Sequence, residues 1–392
     1  MHAVLVLTTG EGGIPHYTAE LANSLHEIGN KVTVVKPDET TADEFFSSGV
    51  ETKEWFSNPN VSFSKISELD LSVTNVVKSC LSLRELSRIP ELNPDVVHFT
   101  HKPHSYLRPF LPNIDVSVPI VETRHETENT RLLRIPGRDL PAQENMKVVA
   151  AMNVDSVLRH TFDPIQTDRY IAHTEQNKTD LQEKYPDSPV ETIPHGAFRI
   201  FAPEADTTPA ERDPDENTIL FFGNITGYKD LNQLVEATIR LGEEINDLTT
   251  VIAGSGNLPD GTSELVDAHP DLFDIKNEFI PNAEVPELFA QASVVVVPHI
   301  KQQGHSGTMT IAFAHGTPVV ATTVGEYDQL IRKSGSGYTV EPGDDEMMAN
   351  SLSAILQNSE LRRSMGKNSK RMAAELSWDS VAKQTEQFYQ AN

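Results

Sequence analysis

The sequence predicts two α/β lobes, each a doubly wound parallel sheet with helices on both faces. Short continuous apolar runs alternate with amphipathic stretches through both halves of the chain. That is the pattern of parallel strands buried on both faces and joined by helical crossovers. Residues 201–217, rich in Pro, Asp, Glu and Thr, interrupt the alternation and keep no apolar period. They read as a linker. The length of 392 residues also exceeds what one core usually holds.

The first lobe is taken as residues 1–200. Residues 3–8 read as a buried strand, a glycine turn follows, and a helix is expected over 15–28, ended by Gly29-Asn30. Further strands are expected at 31–35, 95–99, 118–123, 169–172 and 190–193. The second lobe is taken as residues 218–375. Its strands are expected at 218–222, 249–253, 275–279, 294–297 and 319–321, with helices at 231–241, 285–291 and 308–315. In the tail, residues 376–392, Trp378, Val381, Phe388 and Tyr389 recur at helical spacing. This last helix is expected to return to the first lobe. Ligands of such sheets sit at the carboxyl ends of the strands, so the active site is expected in a central cleft faced by both lobes.

Acidic residues number 57 against 32 basic ones, for a net charge of -25. A surface this acidic repels nucleic acid and argues against a nucleic-acid partner. Two explanations of the charge stay open. One is a halophilic host, whose salt screens the self-repulsion; the other is an ordinary acidic cytosolic protein. The single cysteine, Cys80, cannot form an internal disulfide, which fits a cytoplasmic location. Its neighbours Ser79, Leu81 and Leu83 suggest packing inside a helix. The first residues lack the basic leader and cleavage site of a signal peptide. No run approaches the ~20 apolar residues of a membrane span, so membrane contact is expected to be peripheral at most, at the inner face.

Four places carry candidate chemistry. Gly10-Glu11-Gly12-Gly13 lies between the first strand and first helix. Glycines there allow close backbone approach, and the helix N-terminus favours an anion; a tight turn explains the same residues equally. Gly223 to Asp230 joins a strand to the next helix and includes Lys229. A lysine there can neutralise a departing diphosphate, or be a surface lysine, although a cation at a helix start opposes the dipole. Ser306, Gly307 and Thr308 precede an apolar helix. Their hydroxyls and amides suit a phosphate, and plain N-capping accounts for them too. His125 follows the strand at 118–123. It is placed either to touch a substrate hydroxyl or to serve as a hydrogen-bonded structural histidine.

The run His98, His101, His104 has a metal-like spacing, but it leaves a strand through Lys102-Pro103 and no cysteine supports it, so no metal is expected. The stretch from Lys102 to Arg138 is net basic and includes Arg108, Arg124, Arg131 and Arg134. With His16 it forms a candidate patch for an anionic acceptor or an anionic membrane edge; a salt-bridged loop is the alternative.

The residues resemble the group-1, family-4 type of retaining GT-B glycosyltransferases, along almost the whole chain. Residues 12–35 look like the family's glycine loop, first helix and second strand. Pro94-Asp95-Val96-Val97-His98, Ile193-Pro194-His195-Gly196-Ala197, residues 219–230, residues 279–289, Gly316-Thr317-Pro318-Val319-Val320-Ala321-Thr322 and Ser377-Trp378-Asp379 match further family segments in order. The resemblance implies the GT-B fold and a metal-independent transfer from a nucleotide-diphosphate sugar, without cofactor, to a glycan or polyprenyl-type lipid-linked acceptor. The anomeric configuration would be retained through an oxocarbenium-like transition state. It implies catalytic roles for His125 and Lys229. It implies a donor set of Gly12, Gly13, Gly223, Asn224, Lys229, Gly254, Ile280, Gln303, Ser306, Gly307 and Thr308. Phe279, Ile280 and Pro281 would flank the base.

The chain also departs from the family. The usual arginine of the second glycine loop is Asn224, and the E-x7-E pair falls on Gln303 and Ile311. A related subgroup with Tyr-Lys-Gly and Gln-Ser-Gly at these places resembles Tyr228-Lys229-Asp230 and His305-Ser306-Gly307, and it too lacks the second glutamate. A catalytically weak or inactive nucleotide-sugar-binding partner of the same fold is therefore the alternative expectation.

Overall fold

The structure, a computed structural model, describes residues 1–58, 73–125, 165–202, 217–301 and 305–391. The chain divides into two compact units, Met1–Pro194 with Trp378–Asn392, and His195–Ser377.

The first unit is a seven-stranded parallel sheet in the order β3-β2-β1-β4-β5-β6-β7. The strands are β1 (His2–Val6), β2 (Lys31–Pro37), β3 (Glu51–Phe56), β4 (Val96–Phe99), β5 (Ile120–Arg124), β6 (Arg169–Ala172) and β7 (Val190–Thr192). Its helices are α1 (Gly13–Glu27), α2 (Val73–Ser82), α3 (Glu175–Lys184) and α11 (Trp378–Gln390). β1 is buried at every position because helices cover both faces of its sheet. The strand order reverses between β1 and β4, and that switch point is where such sheets bind ligands. Cys80 is buried in α2.

The tail returns to this unit. α11 places Trp378, Val381, Phe388 and Tyr389 among Ala3, Leu5, Tyr17, Leu21 and Leu25 in one hydrophobic cluster. Trp378 has 0% exposure. Arg169 clamps the far end of the helix, donating from Nη1 to the Phe388 carbonyl at 2.7 Å.

The second unit is a six-stranded parallel sheet in the order β10-β9-β8-β11-β12-β13. Its strands are β8 (Asn217–Phe222), β9 (Leu248–Ala253), β10 (Phe273–Lys276), β11 (Val294–Val297), β12 (Val319–Thr322) and β13 (Gly337–Val340). Its helices are α4 (Leu231–Gly242), α5 (Asp260–Ala268), α6 (Val285–Gln291), α7 (Gly307–His315), α8 (Tyr327–Ser334), α9 (Asp345–Leu356) and α10 (Ser359–Glu375). The switch point here lies between β8 and β11.

Both units are the Rossmann-like α/β lobes that the alternation predicts. The differences fall at sheet edges. β3 and β13 were not expected, because Glu51-Thr52-Lys53-Glu54 and Gly337-Tyr338-Thr339 carry no continuous apolar run. An edge strand is half-solvated and does not need one. The strand expected at 275–279 is β10, which pairs with β9 from Phe273 and ends at Lys276. Residues 277–279 continue beyond the sheet, and Phe279 is 58% exposed. Residues 203–216 of the expected linker lie outside the described residues.

Candidate active site

At the switch point of the second unit, two glycine loops build a small polar floor. Gly223 follows β8 with φ +111°, and its N–H donates to the Ala253 carbonyl at 2.9 Å. Gly254 follows β9 with φ +146°, and a side chain there would overlap the Gly223 carbonyl. The two loops can lie this close only because Gly254 lacks a Cβ. A turn then brings Lys229 back over the floor, with its N–H on the Thr226 carbonyl at 3.0 Å. Asp230 N–H donates to Pro298 O at 2.6 Å and Ile300 N–H to Tyr228 O at 2.8 Å, which ties the turn to the segment after β11.

The Lys229 ammonium ends beside Gly223 and Thr308. A Cβ built on Gly223 would stand 3.0 Å from Lys229 Nζ and 3.8 Å from Thr308 Oγ1. Lys229 Nζ lies 5.2 Å from the Phe221 ring centroid and 5.9 Å from that of Tyr228. Among the described residues no carboxylate pairs with it. Desolvation pushes its pKa down to about 8, because burial without a counter-anion disfavours the charged form. An anion arriving here would raise that pKa again.

α7 starts next to this lysine. Ser306 is its N-cap, accepting from Met309 N–H at 3.3 Å, and Thr308 Oγ1 donates to the Phe222 carbonyl at 3.1 Å. The first amides of a helix have no intrahelical acceptor, and the dipole there favours negative charge. His299, just after β11, contacts Tyr327 OH through Nδ1 at 3.0 Å. Desolvation, then the nearby Lys229 charge, pushes its pKa down to about 3, so it is neutral.

The first unit has its own switch-point site. Gly12, with φ +81°, caps α1 without a side-chain bond. His16, one turn on, is buried and donates from Nδ1 to the Gly12 carbonyl at 3.1 Å. A Cβ at Gly12 or Gly13 would meet nothing within 4 Å, so this turn is open to its surroundings. His125 follows β5, with Nε2 2.8 Å from the Thr100 carbonyl and Nδ1 3.1 Å from His173 Nε2.

The comparisons with known proteins agree with this geometry. The Glycosyltransferase Family 4 model matches residues 11–197 and the Glycosyl transferases group 1 model matches residues 204–372. The chain belongs to the group 1, family 4 glycosyltransferases. It is 31% identical over 181 residues to an uncharacterized glycosyltransferase of Methanocaldococcus jannaschii, a match spanning 45% of each chain. It is 27% identical over 285 residues to a D-inositol 3-phosphate glycosyltransferase of Salinispora arenicola, spanning 67% of this chain and 61% of the relative. These matches thus cover less than two thirds of either relative. The fold is similar to that of Anabaena HepE, solved in complex with UDP-glucose: TM-score 0.69 at 14% identity, over 99% of each chain.

Within this glycosyltransferase frame the sequence-derived residues separate into groups. Gly223, Gly254, Lys229, Ser306, Gly307 and Thr308 converge in the second unit. Asn224 sits at the exposed rim, accepting from Ser255 Oγ at 3.4 Å. Ile280 is buried just past β10, next to the exposed Phe279. Ile311, where the family's second glutamate stands, is buried in α7. Gly12, Gly13, His16 and His125 lie at the carboxyl ends of the first unit's strands.

Arg124 does not join an exposed patch. It is 3% exposed, ion-paired with the equally buried Glu122, and its guanidinium lies 5.2 Å from the Tyr170 ring centroid and 5.6 Å from that of Tyr185. Gln303, Arg131 and Arg134 lie outside the described residues. His98 contacts Tyr389 OH and Thr123 Oγ1, whereas His101 contacts Thr8 Oγ1. No group of three or more His, Cys, Asp or Glu that could hold a metal occurs among the described residues. No described helix is long and apolar enough to cross a membrane.

Sequence reasoning passed over His173. It follows β6 as His125 follows β5, and Arg124 pairs with Ala172 across those strands. Two histidines, each the residue after its strand's end, were the available signal.

Proposed function

We propose that the protein is a retaining glycosyltransferase that moves a hexose or related sugar from a nucleotide-diphosphate sugar to a glycan or lipid-linked acceptor, without metal or other cofactor. The observation that carries the reading is the Lys229 ammonium. It is desolvated, pairs with no described carboxylate, and stands at the N-terminus of α7 beside Gly223 and Thr308. As the glycosidic bond breaks, negative charge gathers on the departing diphosphate. Lys229 and the first amides of α7 stabilise that charge where it develops, which is often the largest catalytic contribution. HepE, a neighbour in fold, was solved with UDP-glucose, which supports the same donor class here. Ile280 and its neighbours would flank the base. In the first unit, Gly12, Gly13 and His16 are assigned to hydroxyl and phosphate contacts of the substrates, and His125, both of whose ring nitrogens are engaged, to the wall of the same site.

The missing arginine at Asn224 favours a second reading, a binding partner that holds a nucleotide sugar without turnover. Release of free nucleoside diphosphate from UDP-, GDP- and ADP-sugars, in the presence of a chelator, separates the two. A transferase releases it with at least one donor; a binding partner shows only a thermal shift with the same donors. Full activity in Lys229→Ala would refute the role of Lys229.

A further inference from the structure

The carboxyl ends of β5 and β6 present a pair of imidazoles with an unusual demand for protons. His125 Nδ1 and His173 Nε2 are 3.1 Å apart. Beyond them stand two backbone carbonyls, Thr100 O at 2.8 Å from His125 Nε2 and Ile193 O at 2.9 Å from His173 Nδ1. A carbonyl can only accept, so both outer nitrogens must carry hydrogen. The inner contact needs a third hydrogen. Two neutral imidazoles own two between them. All three bonds therefore form only when the pair carries one extra proton.

His173 is the ring that stays neutral. It is buried, and desolvation pushes its pKa down to about 4 against the raising effect of the Ile193 bond. Its hydrogen stays on Nδ1, and Nε2 offers a lone pair to His125. The groups around the pair leave room for a cation at His125, which is half-buried. Tyr17 of α1 contacts both rings, with centroids 4.7 and 5.4 Å away, and burial holds its phenol protonated. His98 of β4 is kept neutral by burial, and Tyr389 of α11 caps it at 2.6 Å. On β5 itself, Glu122 and Arg124 neutralise each other.

We propose that His173 is a positioning residue that holds His125 as an imidazolium, its Nδ1 hydrogen donated to His173 and its Nε2 hydrogen donated to the Thr100 carbonyl. The first unit thereby presents a fixed cation at its switch-point side without a lysine. The protonation state stands alone; its consequence for transfer rests on the function proposed above.

The test is a pH titration of the full chain labelled with 15N-histidine, read by NMR for the wild type, His173→Gln and His173→Phe. A glutamine amide can donate to both Ile193 O and His125 Nδ1, which satisfies every contact with a neutral His125. The wild type is expected to show both His125 nitrogens protonated at pH 7. His173→Gln should lower the His125 midpoint by at least one pH unit and leave one hydrogen, on Nε2. His173→Phe, which offers no partner, should lower it too. A wild-type His125 that is singly protonated at pH 7, or a midpoint unchanged by His173→Gln, overturns the proposal. Should His173→Gln fail to fold, the wild-type spectrum decides by itself. Nucleoside-diphosphate release provides the functional arm. In His173→Gln, the pH at which kcat falls on raising pH should move down with the NMR midpoint while KM for the donor holds. A wild type that releases nothing from UDP-, GDP- or ADP-sugars defeats the transferase reading and leaves the NMR result standing.

Discussion

The two sheets reverse at equivalent points, β1/β4 and β8/β11, yet they offer different chemistry there. The second unit has a lysine over a floor closed by two touching glycine loops, with a serine-capped helix beside it. The first unit has an open glycine turn, an uncapped helix start and a set of buried histidines and threonines. One fold thus frames a desolvated lysine in one unit and a cluster of histidines and threonines in the other. The difference lies in a few loop residues, as expected when function is grafted onto a shared scaffold.

The sharpest way to break this contrast is to remove the cation. Lys229→Ala should lower kcat/KM about 10²–10³-fold, roughly 3–4 kcal/mol, the usual cost of deleting one preorganised transition-state donor. Nucleoside-diphosphate release with the best donor measures it. The charge also fixes a pH signature. The folded-state value of about 8 lies below the ordinary 10.5. Between these two values the unfolded chain holds a proton that the folded protein lacks, so stability without ligand should rise with pH across that window. Donor affinity should move the other way, falling as pH rises through about 8 and the ammonium is lost. Denaturant melts and UDP titrations at pH 7 and pH 9.5 test both slopes, and Lys229→Met should flatten them.

The glycines come next in size. Gly254→Ala meets both a strained φ and the Gly223 carbonyl. It should destabilise the second unit by about 2–4 kcal/mol and weaken donor binding as the floor shifts. Gly12→Ala meets only the φ penalty, because its Cβ would enter open space. About 1 kcal/mol is expected. Equal losses in the two variants, measured by chemical denaturation, would show that the floor is not closed as described.

Much of this contrast was legible in the sequence, and the rest was hidden for physical reasons. Buried central strands such as Val294-Val295-Val296-Val297 announce themselves as apolar runs, and so does the helix face of Trp378 and Val381. The edge strands β3 and β13 do not, since one side of an edge needs no burial. The lysine was found because Gly223 and the helix start bracket it. The state of Arg124 was not: Glu122 is its near neighbour on β5, but burial against Tyr170 depends on β6, distant in sequence, pairing with β5. His173 escaped for the same reason: only the register of β5 on β6 brings it to His125.

The smallest effect tests whether the helix start acts through its backbone. α1 begins at Gly12 with no side-chain cap, whereas α7 begins at Ser306, whose hydroxyl accepts from Met309 N–H. Ser306→Ala should cost about 1 kcal/mol of stability in the second unit, and Ser306→Gly only a few tenths. The main-chain amides that face an anion survive both changes, so affinity for UDP, or for whichever nucleoside diphosphate binds best, should fall less than tenfold. A loss as large as that of Lys229→Ala would move the anion-holding role from the amides to the serine hydroxyl. The two helix starts would then differ by one side chain rather than by the lysine beside them.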